Sequence, residues 1–228
     1  MSKYACNSCT QKSKPVDIPN RRTRRYFLFQ EEKAKLRKDE DMKRYGDRAL
    51  LEGKPCRGVK GPSIKSLLPL LDRSTCSFPE HLHSLCLGVV KSLMLLMFLK
   101  PGPWNLKEFT GAIDKVFLKN VQPPDDVSRL PRSLSFLKVW KASEFLHWLI
   151  FYSVPIMTKF MKKEYFQHWV LLVISVQLLS QEKISADDLH LADELLRLFL
   201  RDVGLLYPES AYTYNMHQLE HFGLCVRR

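Results

Sequence analysis

Two short pairs of ligand-type residues stand near opposite ends of this chain, and any fold that joins them must bring almost the whole polypeptide back on itself. The first is Cys6-Asn7-Ser8-Cys9, whose spacing lets both sulfurs reach one ion at about 2.3 Å. The second lies in Asn215-Met216-His217-Gln218-Leu219-Glu220-His221, where the two histidines would project from the same face of a helix. Taken singly, a CxxC is a weak signal, and such a histidine pair also occurs on surface or core helices for other reasons. Taken together they complete Cys2His2, the closed tetrahedral set of structural zinc, with Cys6, Cys9, His217 and His221 as metal ligands. An ion held there would close a very long loop and remove conformational freedom from the unfolded chain. No open coordination position is suggested, so the zinc expected here is architectural, not catalytic.

Charge divides the chain unevenly. Residues 1–66 carry 18 Lys and Arg against 8 Asp and Glu, whereas residues 67–228 carry 18 against 16. A basic segment of this kind suits a polyanionic partner, nucleic acid being the commonest, although a solvated helix face has the same composition. The densest cluster is Arg21, Arg22, Arg24 and Arg25 around Thr23, the candidate DNA-phosphate contacts. A nuclear import signal and a plain solvated loop fit those arginines equally.

The remaining composition is that of a folded protein. Of 228 residues, 45% are hydrophobic, which supports a substantial core and argues against disorder throughout. Six cysteines at irregular spacings do not form a disulfide framework, and a reducing compartment is expected. Met1 to Pro15 is polar and predicts no secretory leader. The apolar stretches Leu85 to Leu99 and Trp169 to Leu179 are broken by Lys91 and Gln177 and fall short of a membrane span, so core helices are expected and no membrane partner.

Residues 1–62 are predicted as a basic arm with the CxxC half-knuckle and a surface helix, and residues 63–228 as a helical domain ending in HxxxH. Pro15 and Pro19 oppose helix in the arm, and Tyr26 to Phe29 is a candidate short strand. The Pro-free, Glu/Lys/Arg/Leu-rich run from Gln30 to Glu52 favours helix by propensity. Gly53, Pro55, Gly58, Gly61 and Pro62 then mark a loop and the boundary between the two parts.

In the second part, Leu82, Leu85, Val89, Leu93 and Leu96 recur at helical spacing after Pro79. Asn105-Leu106-Lys107-Glu108 has capping-box form ahead of Phe109, Ile113, Val116 and Phe117. Pro123, Pro124 and Pro131 precede an apolar helical stretch from Trp140 to Met161 with a kink near Pro155. Tyr165 to Leu179 is apolar nearly all round and should be central. Ser185 to Asp188 caps a last long amphipathic helix, with Leu189, Ala192, Leu195, Leu196, Phe199 and Leu200 inward, ending near Gly204 and Pro208. Mainly α architecture is therefore expected. Glu80, His81 and His83 could pass for an acid/base or ligand cluster, but Glu at a helix start is also simply favourable for the macrodipole.

In order along the chain, Tyr4-Ala5-Cys6-Asn7-Ser8-Cys9, Gly58-Val59-Lys60-Gly61-Pro62-Ser63, Glu80 to Lys91, Trp140-Lys141-Ala142-Ser143-Glu144 and His217 to His221 resemble the motifs of CACTA-like DNA transposases and related fungal and animal elements. The resemblance implies the helical insertion region of an RNase H-like transposase, with the core β-strands largely missing and an irregular basic zinc-knuckle arm in front. It implies Asp, Asp and Glu on two divalent metals for strand cleavage and transfer. By that template the second Asp would precede Met1 and the Glu would follow Arg228, so all three carboxylates are expected to be missing and the chain not to be an enzyme. Where the family usually has Asp-x-Met-His, this chain has Glu80-His81-Leu82-His83. The implied function is a catalytically inactive, zinc-containing module in the nucleus that binds DNA or associates with transposase-like chains. The competing expectation is a metal-free helical protein-interaction domain without nucleic-acid affinity.

Overall fold

A computed structural model describes residues 3–17, 23–68, 71–74, 76, 79–120 and 131–226, and it is mainly helical. Arg21 and Arg22, like Pro19, Pro123 and Pro124, lie outside the described residues. The arm opens with a small antiparallel hairpin, β1 (Lys14–Val16) and β2 (Arg24–Tyr26), in register Lys14 to Tyr26. The strand anticipated at Tyr26 to Phe29 is thus displaced toward Arg24. Beyond Tyr26 the chain leaves the hairpin, because the Phe27 N–H bonds the Tyr212 carbonyl at 3.1 Å.

The expected surface helix is α1 (Asp39–Glu52), which starts nine residues later than Gln30. Tertiary bonds override propensity in the skipped stretch. Thr10 N–H donates to Lys35 O and Arg37 N–H to Ser8 O, while the Arg197 guanidinium donates to the carbonyls of Gln30 and Glu31. Backbone groups held by distant partners cannot also form i→i+4 bonds. At the start of α1, the Asp39 carboxylate receives a forked bond from Arg73 at 2.5 and 2.6 Å, with the Arg73 backbone N–H also donating to it, and these contacts lower its pKa to about 2.

The helical body begins with α2 (His81–Leu99), whose first ten residues are wound wide, the Lys91 N–H reaching back to the Cys86 carbonyl. Its 19 residues exceed the apolar stretch seen in sequence and give it the length and apolarity of a spanning helix, but half of its span is buried inside the protein. Leu85, Cys86, Val89, Val90, Leu93, Met94, Met97 and Phe98 face the core. Helix α3 (Thr110–Asn120) is preceded by a 3-10 turn (Lys107–Phe109) whose Lys107 N–H is capped by Asn105 at 3.0 Å. Ile113 and Phe117 are buried as anticipated, whereas Phe109 sits at the surface.

Helix α4 (142–157) carries one wide turn, Trp148–Tyr152, just ahead of Pro155. Proline has no N–H to return to the preceding turn, and the Ile150 carbonyl accepts instead from Gln177 Nε2 at 3.1 Å. Ser153 Oγ donates to Leu149 O and receives Trp169 Nε1–H, both at 2.8 Å, which locks the wide turn to its neighbour. That neighbour, α5 (Lys163–Leu179), pairs with α6 (Ala186–Leu206) as a helical hairpin along the molecule's centre. The expected cap is present, Ser185 Oγ accepting from Asp188 N–H at 3.0 Å.

Between α5 and α6, His168 is buried with its ring stacked on Phe199 at 4.2 Å and its Nε2 2.9 Å from the Phe199 carbonyl. Burial pushes its pKa down to about 4, opposed by that carbonyl and by Asp202. Because the folded value lies below the ordinary 6.5, the unfolded chain takes the proton first. Stability is therefore full above pH 6.5 and falls as pH drops to about 4, by about 3 kcal/mol. Urea titrations across that window should show this slope, and His168→Gln should flatten it. An unchanged slope in the variant would mean that His168 titrates normally in the fold.

Candidate metal centre

The last turns of the chain are set by α7 (Tyr214–Gln218), a 3-10 turn (Leu219–His221) and α8 (Phe222–Val226). Thr213 caps α7 by accepting from the Met216 N–H at 3.2 Å, and Tyr212 Oη donates to Leu200 O on α6 at 2.8 Å. Two glycines let this segment lie close to its neighbours. A Cβ on Gly88 of α2 would come within 2.7 Å of the Asn215 Cβ, and one on Gly223 would strike the Asp193 carboxylate on α6. The histidine-bearing turn is thus wedged between α2 and α6.

Against it lies the knuckle of the arm. Cys6, Cys9, His217 and His221 are all buried, none more than 4% exposed, and their ligand atoms lie within 4.8 Å of one another. Cys6 Sγ is 3.4 Å from His221 Nε2, Cys9 Sγ is 3.3 Å from His217 Nε2, and the two Nε2 atoms are 3.4 Å apart. A tetrahedron with metal–sulfur bonds of about 2.3 Å and metal–nitrogen bonds of about 2.0 Å has S···N edges of about 3.5 Å and N···N edges of about 3.3 Å. Three of the six edges are therefore already at coordination length. The four residues can hold a metal ion, and their donor set is compatible with zinc.

Electrostatics point the same way. The hydrogen bond with Cys9, helped by His217 and His221 and resisted by burial, holds the Cys6 thiol below its ordinary range, and the same contact raises Cys9. A thiol shifted toward ionisation beside two imidazoles is a polarity that a dication would complete.

Surrounding groups orient three of the four ligands. Phe27 stacks on His217 at 4.5 Å and 9°, and Glu220 Oε2 lies 3.5 Å from His217 Nδ1, the usual position for a carboxylate that orients a ligating imidazole. Gln218 Nε2 approaches Cys6 Sγ at 3.8 Å and the Gln11 N–H approaches Cys9 Sγ at 3.5 Å. Arg37, 6% exposed, donates from Nε to the Cys6 and Cys9 carbonyls, each at 2.9 Å, and from a terminal nitrogen to the Arg57 carbonyl at 2.8 Å. Arg37 escapes sequence reasoning, since nothing separates it from Lys33, Lys35 and Lys38 in the same run. Glu220 carried a signal, standing between the two histidines one turn after the first.

The other candidates fall elsewhere. Arg24 is exposed on β2, while Arg25 is half-buried and donates to the Ser13 hydroxyl and carbonyl, holding the hairpin. Glu80 is the N-cap of α2, its oxygens accepting from Leu82 and His83 N–H at 2.7 and 2.9 Å, and these bonds lower its pKa to about 2. Glu144 is buried in a forked bond with Arg132 at 2.5 and 2.6 Å and also accepts the Lys141 N–H, so the Trp140–Glu144 motif anchors the start of α4. No family model, curated protein or solved structure matches the chain.

Proposed function

We propose that this chain is a transposase-derived helical module, closed by a structural zinc ion, that uses its basic arm to bind DNA or to associate with transposase-like chains in the nucleus. The observation that carries this reading is the meeting of Cys6 and Cys9 with His217 and His221 in one buried cluster. Sulfur and imidazole donors in tetrahedral number suit zinc and disfavour magnesium or calcium, which take oxygen ligands. With four protein donors the coordination shell is full, so the ion orders the fold and activates no water. When bound, it would neutralise the sulfur pair and pin the arm to the helical body. The order of five motifs along the chain supports a CACTA-like origin and, with it, correspondence of the helical body to the insertion of an RNase H-like transposase. Glu80, the carboxylate at the family's Asp-x-Met-His position, caps the start of α2, which supports a structural role for it.

The test is binding of the purified protein to a duplex of mixed sequence between about 50 and 200 mM salt. Affinity should fall linearly in log–log form, by about 0.9 per phosphate contacted. A protein that stays unbound at the lowest salt would remove nucleic acid from its function and leave a helical interaction domain.

A further inference from the structure

The outer face of the knuckle carries a second feature that the arginines of the basic cluster do not explain. Cys56 and Val59 exchange both backbone hydrogen bonds at 2.9 Å, closing a tight turn whose two central residues have positive φ, 48° at Arg57 and 87° at Gly58. Gly58 belongs there, because a Cβ would strike the Tyr4 carbonyl. Arg57 does not. Glycine, Asn or Asp is the ordinary occupant of a left-handed turn position, and Arg57 is the one non-glycine residue at positive φ among those described.

The strained residue is nonetheless held firmly. Its carbonyl takes the bond from buried Arg37, which also grips both ligand cysteines. Its exposed guanidinium lies over the Tyr4 ring, 5.2 Å from the centroid, and donates to the Tyr4 hydroxyl at 2.9 Å. The Lys12 ammonium lies 5.9 Å from the same centroid. Two exposed cations are thus gathered on one aromatic ring, and among the described residues neither has an ion pair with a carboxylate.

We infer that Arg57, Lys12 and Tyr4 form a seat for the nucleic-acid phosphate backbone, aimed by the metal knuckle through Arg37. A guanidinium and an ammonium on one ring supply the forked and the point-charge donor that backbone oxygens take, and the ring face restrains their side chains before contact. Sequence preference is not expected, since contacts to phosphate position a protein without reading bases. The inference rests on the DNA-binding function proposed above and adds to it the location of one contact.

Arg57→Gly is the informative variant. Glycine suits positive φ, so the turn, the zinc content and the melting temperature should be retained while the guanidinium is lost. Combined with Lys12→Ala, it should reduce the salt slope of duplex binding by about 2 and weaken binding roughly 10- to 100-fold near 0.1 M salt. Arg44→Ala, which removes a charge from α1, should leave the slope in place. If wild-type protein binds and the double variant keeps its full slope with zinc intact, the seat is overturned alone. An Arg44→Ala loss as large as that of Arg57→Gly would likewise overturn it, by showing that only total charge counts. Failure of the wild type to bind at low salt would overturn the seat and the proposed DNA function together.

Discussion

Protein purified without added chelator is expected to contain one zinc per chain, and His221→Ala or Cys9→Ser is expected to abolish that stoichiometry and lower the melting temperature by about 10–20 °C. The size follows from what the ion ties together. Cys6 and His221 are 215 positions apart, and cross-linking a loop of that length removes chain entropy worth about 5 kcal/mol from the unfolded state. In a protein of this size each kcal/mol moves the midpoint by about 2–4 °C. Wild-type protein treated with a strong chelator should melt where the variants do. Metal analysis with calorimetry checks both halves. Wild-type protein that is purified without metal, or whose midpoint a strong chelator leaves unchanged, would show that the four side chains pack as an ordinary polar core.

The second large effect is expected at Arg37. Arg37→Met keeps an unbranched apolar stem, about as long as arginine's up to Nε, but strips the donors from the Cys6, Cys9 and Arg57 carbonyls. The Cys6 and Cys9 bonds are buried, and a buried acceptor left without a partner costs about 1–3 kcal/mol, so a loss of about 2–6 kcal/mol is expected. Zinc affinity should fall about 10- to 100-fold, because the two sulfurs are no longer aimed from behind. Arg37→Lys should restore only part of this, since one ammonium cannot reproduce a planar fork that reaches three carbonyls. Competition with a chromophoric chelator reads the affinity, and urea unfolding reads the stability. Unchanged zinc affinity in Arg37→Met would make Arg37 a packing residue with no bearing on the ion.

Both expectations concern the interface between arm and body, where sequence and tertiary structure contributed differently. The ligands Cys6, Cys9, His217 and His221 could be named in advance because coordination chemistry restricts both residue type and local spacing. The helical body was legible for a similar reason. The apolar residues of α2, α5 and α6 recur at the helical period, and Ser185 and Asp188 announce the start of α6 with side chains that reach only a few residues. Pro155 marks the wide turn of α4 through a local steric rule.

What the sequence determined by itself was therefore everything set within one or two turns of chain: helical periods, caps, the proline break and the two half-sites for metal. Only tertiary structure decided that residues 30–38 stay out of helix, that Arg37 alone among its basic neighbours turns inward, and that Arg57 accepts a left-handed backbone over Tyr4. Each of those outcomes depends on a partner far along the chain, Arg197 for the carbonyls of Gln30 and Glu31, Cys6 and Cys9 for the guanidinium of Arg37, and Tyr4 for Arg57. Local propensity is worth a few tenths of a kcal/mol per residue and gives way wherever buried hydrogen bonds of about 1 kcal/mol apiece demand another conformation.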